Sequence, residues 1–283
     1  MGSLNFFSMV TAPIEVLSSA GTSLSQATGF FYRRDERWIY LVTNWHVVTG
    51  RDPISPGFSK SGAIPTVLRL KLHKKVAKGH ISLSQKVQLD VSINNESGNA
   101  PKWREHPKHK YMVDLAVIKI RNDDDFNANV KCGYLAEYQD FQEDFSPSVM
   151  DDVFVVGYPW GLTGGDLVLP LYKRGSVASE PLVDYQGLPR FLIDCRTSSA
   201  MSGSPVLCAH SGIWAPNGKF ASDSVIGTVE NFAGVYSGRL KMQDPAEDMK
   251  VADRISEIGV VWKIKALDDI VEHGAVGTKL SDL

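Results

Sequence analysis

The sequence predicts an all-β protein that ends in one helix. Short apolar or alternating runs are separated by charged, polar or glycine-containing turns, a pattern typical of antiparallel strands. These runs are residues 29–32, 38–42, 67–72, 81–91, 113–120, 153–156, 206–208, 232–236 and 258–262. Helical spacing is clear only over residues 264–272, where Leu267, Ile270 and Val271 share one face. Many short strands with a single terminal helix indicate a sandwich or a barrel.

Length and composition narrow the class of protein. The chain has 283 residues, of which 43% are hydrophobic and 22% charged, so disorder, collagen and coiled coil are excluded. This length suits one large all-β domain or two domains of middling size. Since 30 Lys and Arg face 32 Asp and Glu, the net charge of −2 does not favour nucleic acid or an anionic membrane. Every uncharged apolar run falls short of the roughly 18 residues that a membrane helix needs.

Charge is unevenly distributed along the chain. Residues 69–110 hold ten Lys and Arg against three acids, whereas residues 122–152 hold nine acids and one Lys. The basic segment lacks the regular interleaving of aromatic residues, and any known motif, that would indicate nucleic-acid binding, so we interpret it as a solvated strand face. The acidic span between two strand-rich halves predicts an interdomain linker at residues 126–150. The N-terminal domain then covers residues 1–125 and the C-terminal domain residues 151–283.

The cysteine and histidine patterns predict neither a metal nor a cofactor. Cys132, Cys195 and Cys208 are sparse and odd in number, and the sequence contains no CxxC or HExxH. Secreted enzymes of this size more often carry several paired cysteines. The N-terminus also lacks the basic start and long apolar stretch of a signal peptide. These features predict a cytoplasmic protein of a reducing compartment.

Three segments carry residues suited to nucleophilic catalysis. His46 ends an apolar strand, Asp114 begins a buried strand, and Ser202 lies in a loop of small residues. Each is weak evidence alone, but together they give the order His, Asp, Ser. A serine hydroxyl becomes a good nucleophile when an imidazole takes its proton and a buried carboxylate orients that imidazole. Small residues beside the serine leave backbone N–H groups free to face a developing oxyanion.

The chain resembles the trypsin-like serine peptidases of the chymotrypsin fold. Within them it is similar to the bacterial, non-zymogen branch of the high-temperature-requirement proteases and glutamyl endopeptidases. The resemblance runs from about Ile14 to Glu272 and is carried by motifs in the expected order. These are Ala27-Thr28-Gly29-Phe30-Phe31, Thr43-Asn44-Trp45-His46-Val47-Val48, Asp114-Leu115-Ala116-Val117-Ile118, Val156-Gly157-Tyr158-Pro159-Trp160-Gly161, Lys173-Arg174-Gly175-Ser176-Val177, Ser202-Gly203-Ser204-Pro205-Val206 and Gly234-Val235-Tyr236-Ser237-Gly238.

The resemblance implies two six-stranded antiparallel β-barrels, chymotrypsin-like, followed by a C-terminal helix. The first barrel would carry His46 and Asp114, and the second would carry Ser202, with the active site in the cleft between them. The long segment between His46 and Asp114 and the span 210–230 depart from the compact family pattern. We interpret both as insertions.

The resemblance also implies the residues around the reacting bond. The N–H groups of Ala200 and Ser202 would form the oxyanion hole, although the family usually has glycine at position 200. Residues Tyr236, Ser237 and Gly238 would pair with the substrate backbone.

Arg196 lies six positions before Ser202, where the family places the floor of the primary specificity pocket. There it would favour an acidic side chain before the cut. The alternative is that Arg196 turns outward or pairs with Asp194, in which case small or apolar residues would be preferred.

The resulting prediction is a serine endopeptidase that acts on protein or peptide substrates through an acyl-enzyme intermediate. The first alternative is a pseudo-protease or interaction module that binds a partner in the cleft without turnover, which Ala200 mildly favours. Nucleic-acid binding through the basic segment rests on local charge alone and is the weakest reading. A cytoplasmic peptidase needs restraint, so a regulatory protein partner is compatible with the sequence.

Overall fold

The computed structural model describes residues 4–57, 62–76, 81–95, 100–142, 144–164, 167–216, 219–222, 224–240 and 257–282. The strands are β1 (Thr11–Leu17), β2 (Ser23–Arg34), β3 (Trp38–Thr43), β4 (Val67–Lys75), β5 (Ile81–Ser92), β6 (Trp103–Glu105), β7 (Ala116–Arg121), β8 (Asp152–Gly157), β9 (Leu171–Val177), β10 (Arg190–Asp194), β11 (Pro205–Trp214), β12 (Val225–Arg239), β13 (Ile258–Lys263) and β14 (Ala275–Val276). The α-helices are α1 (Phe7–Val10), α2 (Trp45–Thr49), α3 (Asp124–Asn129) and α4 (Ile264–His273). Short 3-10 segments cover Leu135–Glu137, Pro159–Gly161, Tyr185–Gly187 and Leu280–Asp282.

The strands form two antiparallel sheets, and the predicted all-β class with a terminal helix is confirmed. The C-terminal sheet closes as a six-stranded barrel in the order β10-β13-β12-β11-β8-β9, as expected. The N-terminal sheet has eight strands instead of six, in the order β14-β6-β7-β3-β2-β1-β4-β5. The prediction of six strands is therefore wrong for this half.

One of the additional strands comes from the C-terminal tail. Ala275 and Val276 pair with Glu105 and Arg104, so β14 extends the N-terminal sheet beside β6. Gly277 is needed there, because a Cβ would lie 2.5 Å from the ring of Trp103. The tail thus contacts the N-terminal sheet, and the domain boundaries at residues 125 and 151 stay a prediction.

The two predicted insertions are long hairpins. β4 pairs with β5, and the alternation of β4 buries Leu68, Leu70 and Leu72. The span 210–230 continues the pairing of β11 with β12 from Pro205↔Val235 to Trp214↔Val225. The first segment therefore contributes the pair of β4 and β5, and the second lengthens the pair of β11 and β12.

The described residues form three apolar cores, one within each half and one between the halves. One fills the N-terminal sheet around Phe31 and Trp45, and another fills the C-terminal barrel around Phe191 and Met201. The third lies between the halves, where Val42, the helix α4 and Trp262 pack together. Burying each large apolar side chain stabilises the fold by about 1.5–3 kcal/mol. The core between the halves holds the two sheets together at one junction, where His46, Asp114 and Ser202 lie. In the described part of the chain, every helix is too short or too polar to cross a membrane.

Candidate active site

His46 and Asp114 are brought together where the neighbouring strands β3 and β7 of the N-terminal sheet end and begin. His46 lies in α2, directly after β3, and Asp114 precedes β7, which pairs with β3. Nδ1 of His46 lies 2.7 Å from Oδ2 of Asp114, and the His46 N–H donates to Oδ1 at 2.9 Å. The Asn44 amide donates to the Asp114 carbonyl at 2.7 Å, which fixes the backbone of the acid. Asp114 is 4% exposed, so its charge acts on His46 with little screening by water.

Ser202 lies in the loop between β10 and β11, at the junction of the two sheets. The side chain of Met201 is fully buried in the C-terminal core and so anchors this loop. Gly203 follows with φ +86, and a Cβ there would lie 2.2 Å from the Thr28 carbonyl oxygen. Only glycine fits this close approach, which keeps Ser202 against the N-terminal sheet. Oγ of Ser202 donates to the Ser237 carbonyl at 3.1 Å.

The peptide before Ala200 is oriented by a contact from another loop. The Trp160 N–H donates to the Ser199 carbonyl at 2.8 Å. Because that peptide is trans, the Ala200 N–H points away from Trp160. Among the described residues, neither the Ala200 nor the Ser202 N–H donates to a protein acceptor. Ala200 reaches this conformation at φ +71, which costs a residue with a Cβ roughly 1–2 kcal/mol.

The end of β12 offers a backbone edge beside Ser202. A bulge between Tyr236 and Gly238 turns the Ser237 side chain toward Asp114, to which its hydroxyl donates at 2.6 Å. On one side, Gly238 and Arg239 pair with β13, whereas the described strands leave the Ser202 side of residues 237–239 without a partner strand. Gly238 has φ +153 and no described atom within 4 Å of an ideal Cβ position. An extended peptide can therefore approach this edge.

A family model for the trypsin-like peptidase domain matches residues 27–213, more than half of the chain. The chain belongs to this family. Among solved structures, it is similar to the active form of the Rv3671c protease from M. tuberculosis, with 14% identity and TM-score 0.45 over 97% of this chain and 85% of that one. It is also similar to a serine endoprotease from Yersinia pestis, with 13% identity and TM-score 0.47 over 96% of this chain and 66% of that one. The comparison with curated proteins finds no match.

In this trypsin-like peptidase domain, Thr28 makes several hydrogen bonds to the loop that carries Ser202 and to Tyr158, which the sequence did not predict. The buried Thr28 hydroxyl donates to the Ala200 carbonyl at 2.9 Å and accepts from the Tyr158 N–H at 3.1 Å. The Thr28 N–H also donates to the Ser202 carbonyl at 2.9 Å. Thr28 thus connects β2 of the N-terminal sheet to both sides of the loop. The sequence signal was its place in the glycine-bearing motif 27–31, which gives no hint of these partners.

Arg196 is not brought to the other site residues. Its side chain is 80% exposed, and its Nε lies 3.4 Å from Oε1 of Glu257. This position matches the outward-turned alternative and does not fit the floor of a pocket, although the partner is Glu257 and not Asp194. The guanidinium leaves the segment toward solvent, because the neighbouring Cys195 and Thr197 occupy the buried positions of the same extended stretch.

Within the described residues, no group of three or more His, Cys, Asp and Glu could hold a metal ion. The three cysteines are free, and burial raises the pKa of the Cys195 thiol to about 11. Such a thiol stays protonated and is a poor nucleophile near neutral pH. Ser202, with an imidazole and a buried carboxylate at the same junction, is the better nucleophile candidate.

Proposed function

We propose that this trypsin-like peptidase domain is an active serine endopeptidase that cleaves peptide bonds in proteins through an acyl-enzyme intermediate. The observation that carries the proposal is the 2.7 Å contact between His46 Nδ1 and Asp114 Oδ2. It orients the imidazole, so that Nε2 is the nitrogen that would take the proton of a reacting hydroxyl. Ser202 lies at the same junction, beside the open edge of β12.

In the proposed reaction, Ser202 Oγ attacks the carbonyl carbon of the scissile bond and its proton moves to His46 Nε2. Asp114 stabilises the resulting imidazolium and keeps its orientation without taking the proton itself. The tetrahedral oxyanion accepts hydrogen bonds from the Ala200 and Ser202 N–H groups. His46 then gives the proton to the departing amine as the C–N bond breaks. A water molecule repeats the sequence on the acyl ester and releases Ser202.

The competing function is a binding module without turnover. Ala200 favours it, because the strain at φ +71 can be relieved by turning the peptide, which would remove one oxyanion donor. Three hydrogen bonds support the active arrangement instead, from Trp160 N–H to Ser199, from Thr28 to Ala200 and from Thr28 N–H to Ser202. A regulatory partner in the cleft is compatible with both functions.

Labelling with a fluorophosphonate probe tests the proposal. We expect wild type and Ser199→Ala to be labelled, because the Ser199 side chain is exposed and only its backbone is used. Ser202→Ala should not be labelled, and its hydrolysis of an unfolded protein should fall roughly 10⁴-fold or more. A wild-type protein that takes no label and cleaves no peptide would favour the binding module.

The proposed working compartment is the cytoplasm. Support comes from the three cysteines, all of which are free, because proteins of oxidising compartments more often pair their cysteines in disulfides. Fractionation of cells that make the native protein tests this, and recovery from an oxidising compartment would contradict it.

A further inference from the structure

A short stretch after α4 lies along the strand β6 of the N-terminal sheet. We call residues 275–278 the tail segment. Ala275 and Val276 pair with β6, and the Gly277 N–H then donates to the Trp103 carbonyl at 3.0 Å. The tail segment therefore follows β6 over its full length of three residues.

Gly277 lies directly against the ring of Trp103. An ideal Cβ on Gly277 would be 2.5 Å from three atoms of this ring. The φ of Gly277 is negative, so its backbone would accept another residue and only the contact with the ring excludes one. Trp103 is itself 2% exposed, which leaves the ring little room to move away. The place of the tail segment therefore determines the place of this ring.

Thr278 supplies a hydrogen bond to a buried carboxylate. Its hydroxyl donates to Oε1 of Glu105 at 2.6 Å, and the Glu105 side chain is fully buried on the same face of β6 as Trp103. Oε2 of Glu105 has no hydrogen-bond partner in the part of the chain that the structure describes. A buried carboxylate that loses its donor is costly, and it gains by moving toward water. Thr278 thus holds β6 in its present position.

Trp45, Trp103 and Tyr111 form an aromatic cluster that supports the His46–Asp114 pair. The ring of Trp45 packs edge to face with Trp103, with centroids 6.4 Å apart, and its centroid is 5.8 Å from that of Tyr111. Trp45 is fully buried and directly precedes His46 in α2. Tyr111 lies three residues before Asp114. Because a close-packed interior transmits displacement, a shift of Trp103 reaches the segments that carry the base and the acid.

We propose that Gly277 and Thr278 are positioning residues, which keep His46 in register with Asp114 through the aromatic cluster. The effect on turnover rests on the serine endopeptidase function proposed above. Neither residue contacts the reacting atoms, so neither is a catalytic residue. A misplacement of about 1 Å at a catalytic group can cost roughly 100-fold in rate, so a small shift of the tail segment is sufficient.

Thr278→Val and Gly277→Ala test the proposal in the full chain. The first keeps the shape of the side chain but removes the donor to Glu105, and the second places a Cβ against Trp103. We expect each to lower kcat about tenfold and to change KM by less than about twofold, because the edge of β12 proposed to bind the peptide is untouched. The acid limb of the activity profile should also move to lower pH, because a displaced Asp114 stabilises the imidazolium less.

The matched variants separate positioning from mere support of the fold. Thr278→Ser keeps the hydroxyl and should restore the wild-type kcat and pH profile. Val276→Thr changes an exposed side chain of the same segment and should leave both unchanged. If Thr278→Val does not fold, Gly277→Ala decides. The proposal is wrong if folded variants keep the wild-type kcat, or if activity falls only in proportion to the unfolded fraction seen by circular dichroism.

Nuclear magnetic resonance of His46 gives a readout that does not require turnover. In a Ser202→Ala background, the Nδ1 proton between His46 and Asp114 should give a strongly deshielded signal, which His46→Ala assigns. Thr278→Val should weaken this signal and speed its exchange with water, and Thr278→Ser should not. A signal that responds in this way in a protein without turnover refutes the endopeptidase function and supports the positioning role. An active wild type whose signal and kcat ignore both substitutions refutes the positioning role alone.

Discussion

The Ser237 hydroxyl donates a hydrogen bond of 2.6 Å to Oδ2 of Asp114, the same oxygen that lies 2.7 Å from His46 Nδ1. Ser237 belongs to the strand edge that faces Ser202, and its own carbonyl accepts from Ser202 Oγ. One residue thus contacts both the acid and the nucleophile. The backbone that we propose to pair with a substrate is therefore connected, through Ser237, to the carboxylate that contacts His46.

We expect Ser237→Ala to lower kcat about tenfold with a smaller change in KM. The substitution removes one hydrogen bond to a buried carboxylate, a contact worth about 1.5–3 kcal/mol, while the backbone edge stays in place. Steady-state kinetics on a peptide substrate measure both constants. Ser237→Thr keeps the hydroxyl and should retain most activity, and Ser211→Ala, on the hairpin of β11 and β12, should have no effect. Unchanged kcat in Ser237→Ala would show that Asp114 is oriented without this contact.

Thr28 lies in the N-terminal sheet and contacts the loop that carries Ser202, so Thr28→Val should impair catalysis. Valine has nearly the shape of threonine, but it leaves the Ala200 carbonyl and the Tyr158 N–H without their partner, at a cost of about 1–3 kcal/mol for each buried group. We expect a fall in kcat of about tenfold and slower fluorophosphonate labelling, because the loop around the oxyanion donors loosens.

Thr28→Ser is the control for this variant, since it keeps the hydroxyl and loses only a methyl group. It should restore the labelling rate. A Thr28→Val protein that is less stable but labels at the wild-type rate would show that Thr28 supports the fold alone.

A structural feature of this protein can be predicted from the sequence when residues close together in the chain determine it. The all-β class, α4 and the meeting of His46 with Asp114 follow from short patterns, because strand alternation and the motifs around these residues are contained within a few positions. Ser202 is likewise placed by the small residues beside it and by Met201, whose apolar side chain belongs in the core.

What could not be predicted depends on residues that are distant along the chain. The exposed Arg196 is oriented by Glu257, and Thr28 meets a loop more than 150 residues away, at Ala200. The pairing of β14 with β6 involves two residues, Ala275 and Val276, whose types carry no strand pattern.

His106 should make the stability of the protein depend on pH. Its Nδ1 accepts hydrogen bonds from the Lys108 and His109 N–H groups at 3.2 and 3.1 Å, so the neutral ring carries its proton on Nε2, which faces Asp269 at 3.5 Å. Burial, followed by the neighbouring His109, lowers the pKa of His106, and Asp269 opposes this. Protonation would also break both backbone contacts.

The sign follows from the lowered pKa. Below the ordinary histidine value of 6.5 the unfolded chain binds a proton that the folded chain resists, so the free energy of unfolding falls as pH drops. Above that value both forms are neutral and the stability is fully present. Urea unfolding between pH 7.5 and 5.5 should show this loss, and His106→Asn, which keeps an acceptor for the turn, should reduce it, while burial lowers the pKa of His73 in the same direction and leaves part of the slope. His273→Asn, at the exposed end of α4, is the control, and equal slopes in all three proteins would contradict the prediction.

Ala200→Gly should stabilise the protein, against the usual effect of glycine. The residue has φ +71, where a Cβ costs roughly 1–2 kcal/mol, whereas the entropy that glycine adds to the unfolded chain costs about 0.4–1 kcal/mol. The difference predicts a gain of about 0.5–1 kcal/mol in the free energy of unfolding. The N–H toward the oxyanion is kept, so kcat should be equal or higher. The matched control is Ala209→Gly in β11, where the same exchange in a regular strand should destabilise by about 0.5–1 kcal/mol. If both exchanges destabilise equally, the strain at Ala200 is absent in solution, and the peptide before it is turned away from the arrangement that the proposed catalysis needs.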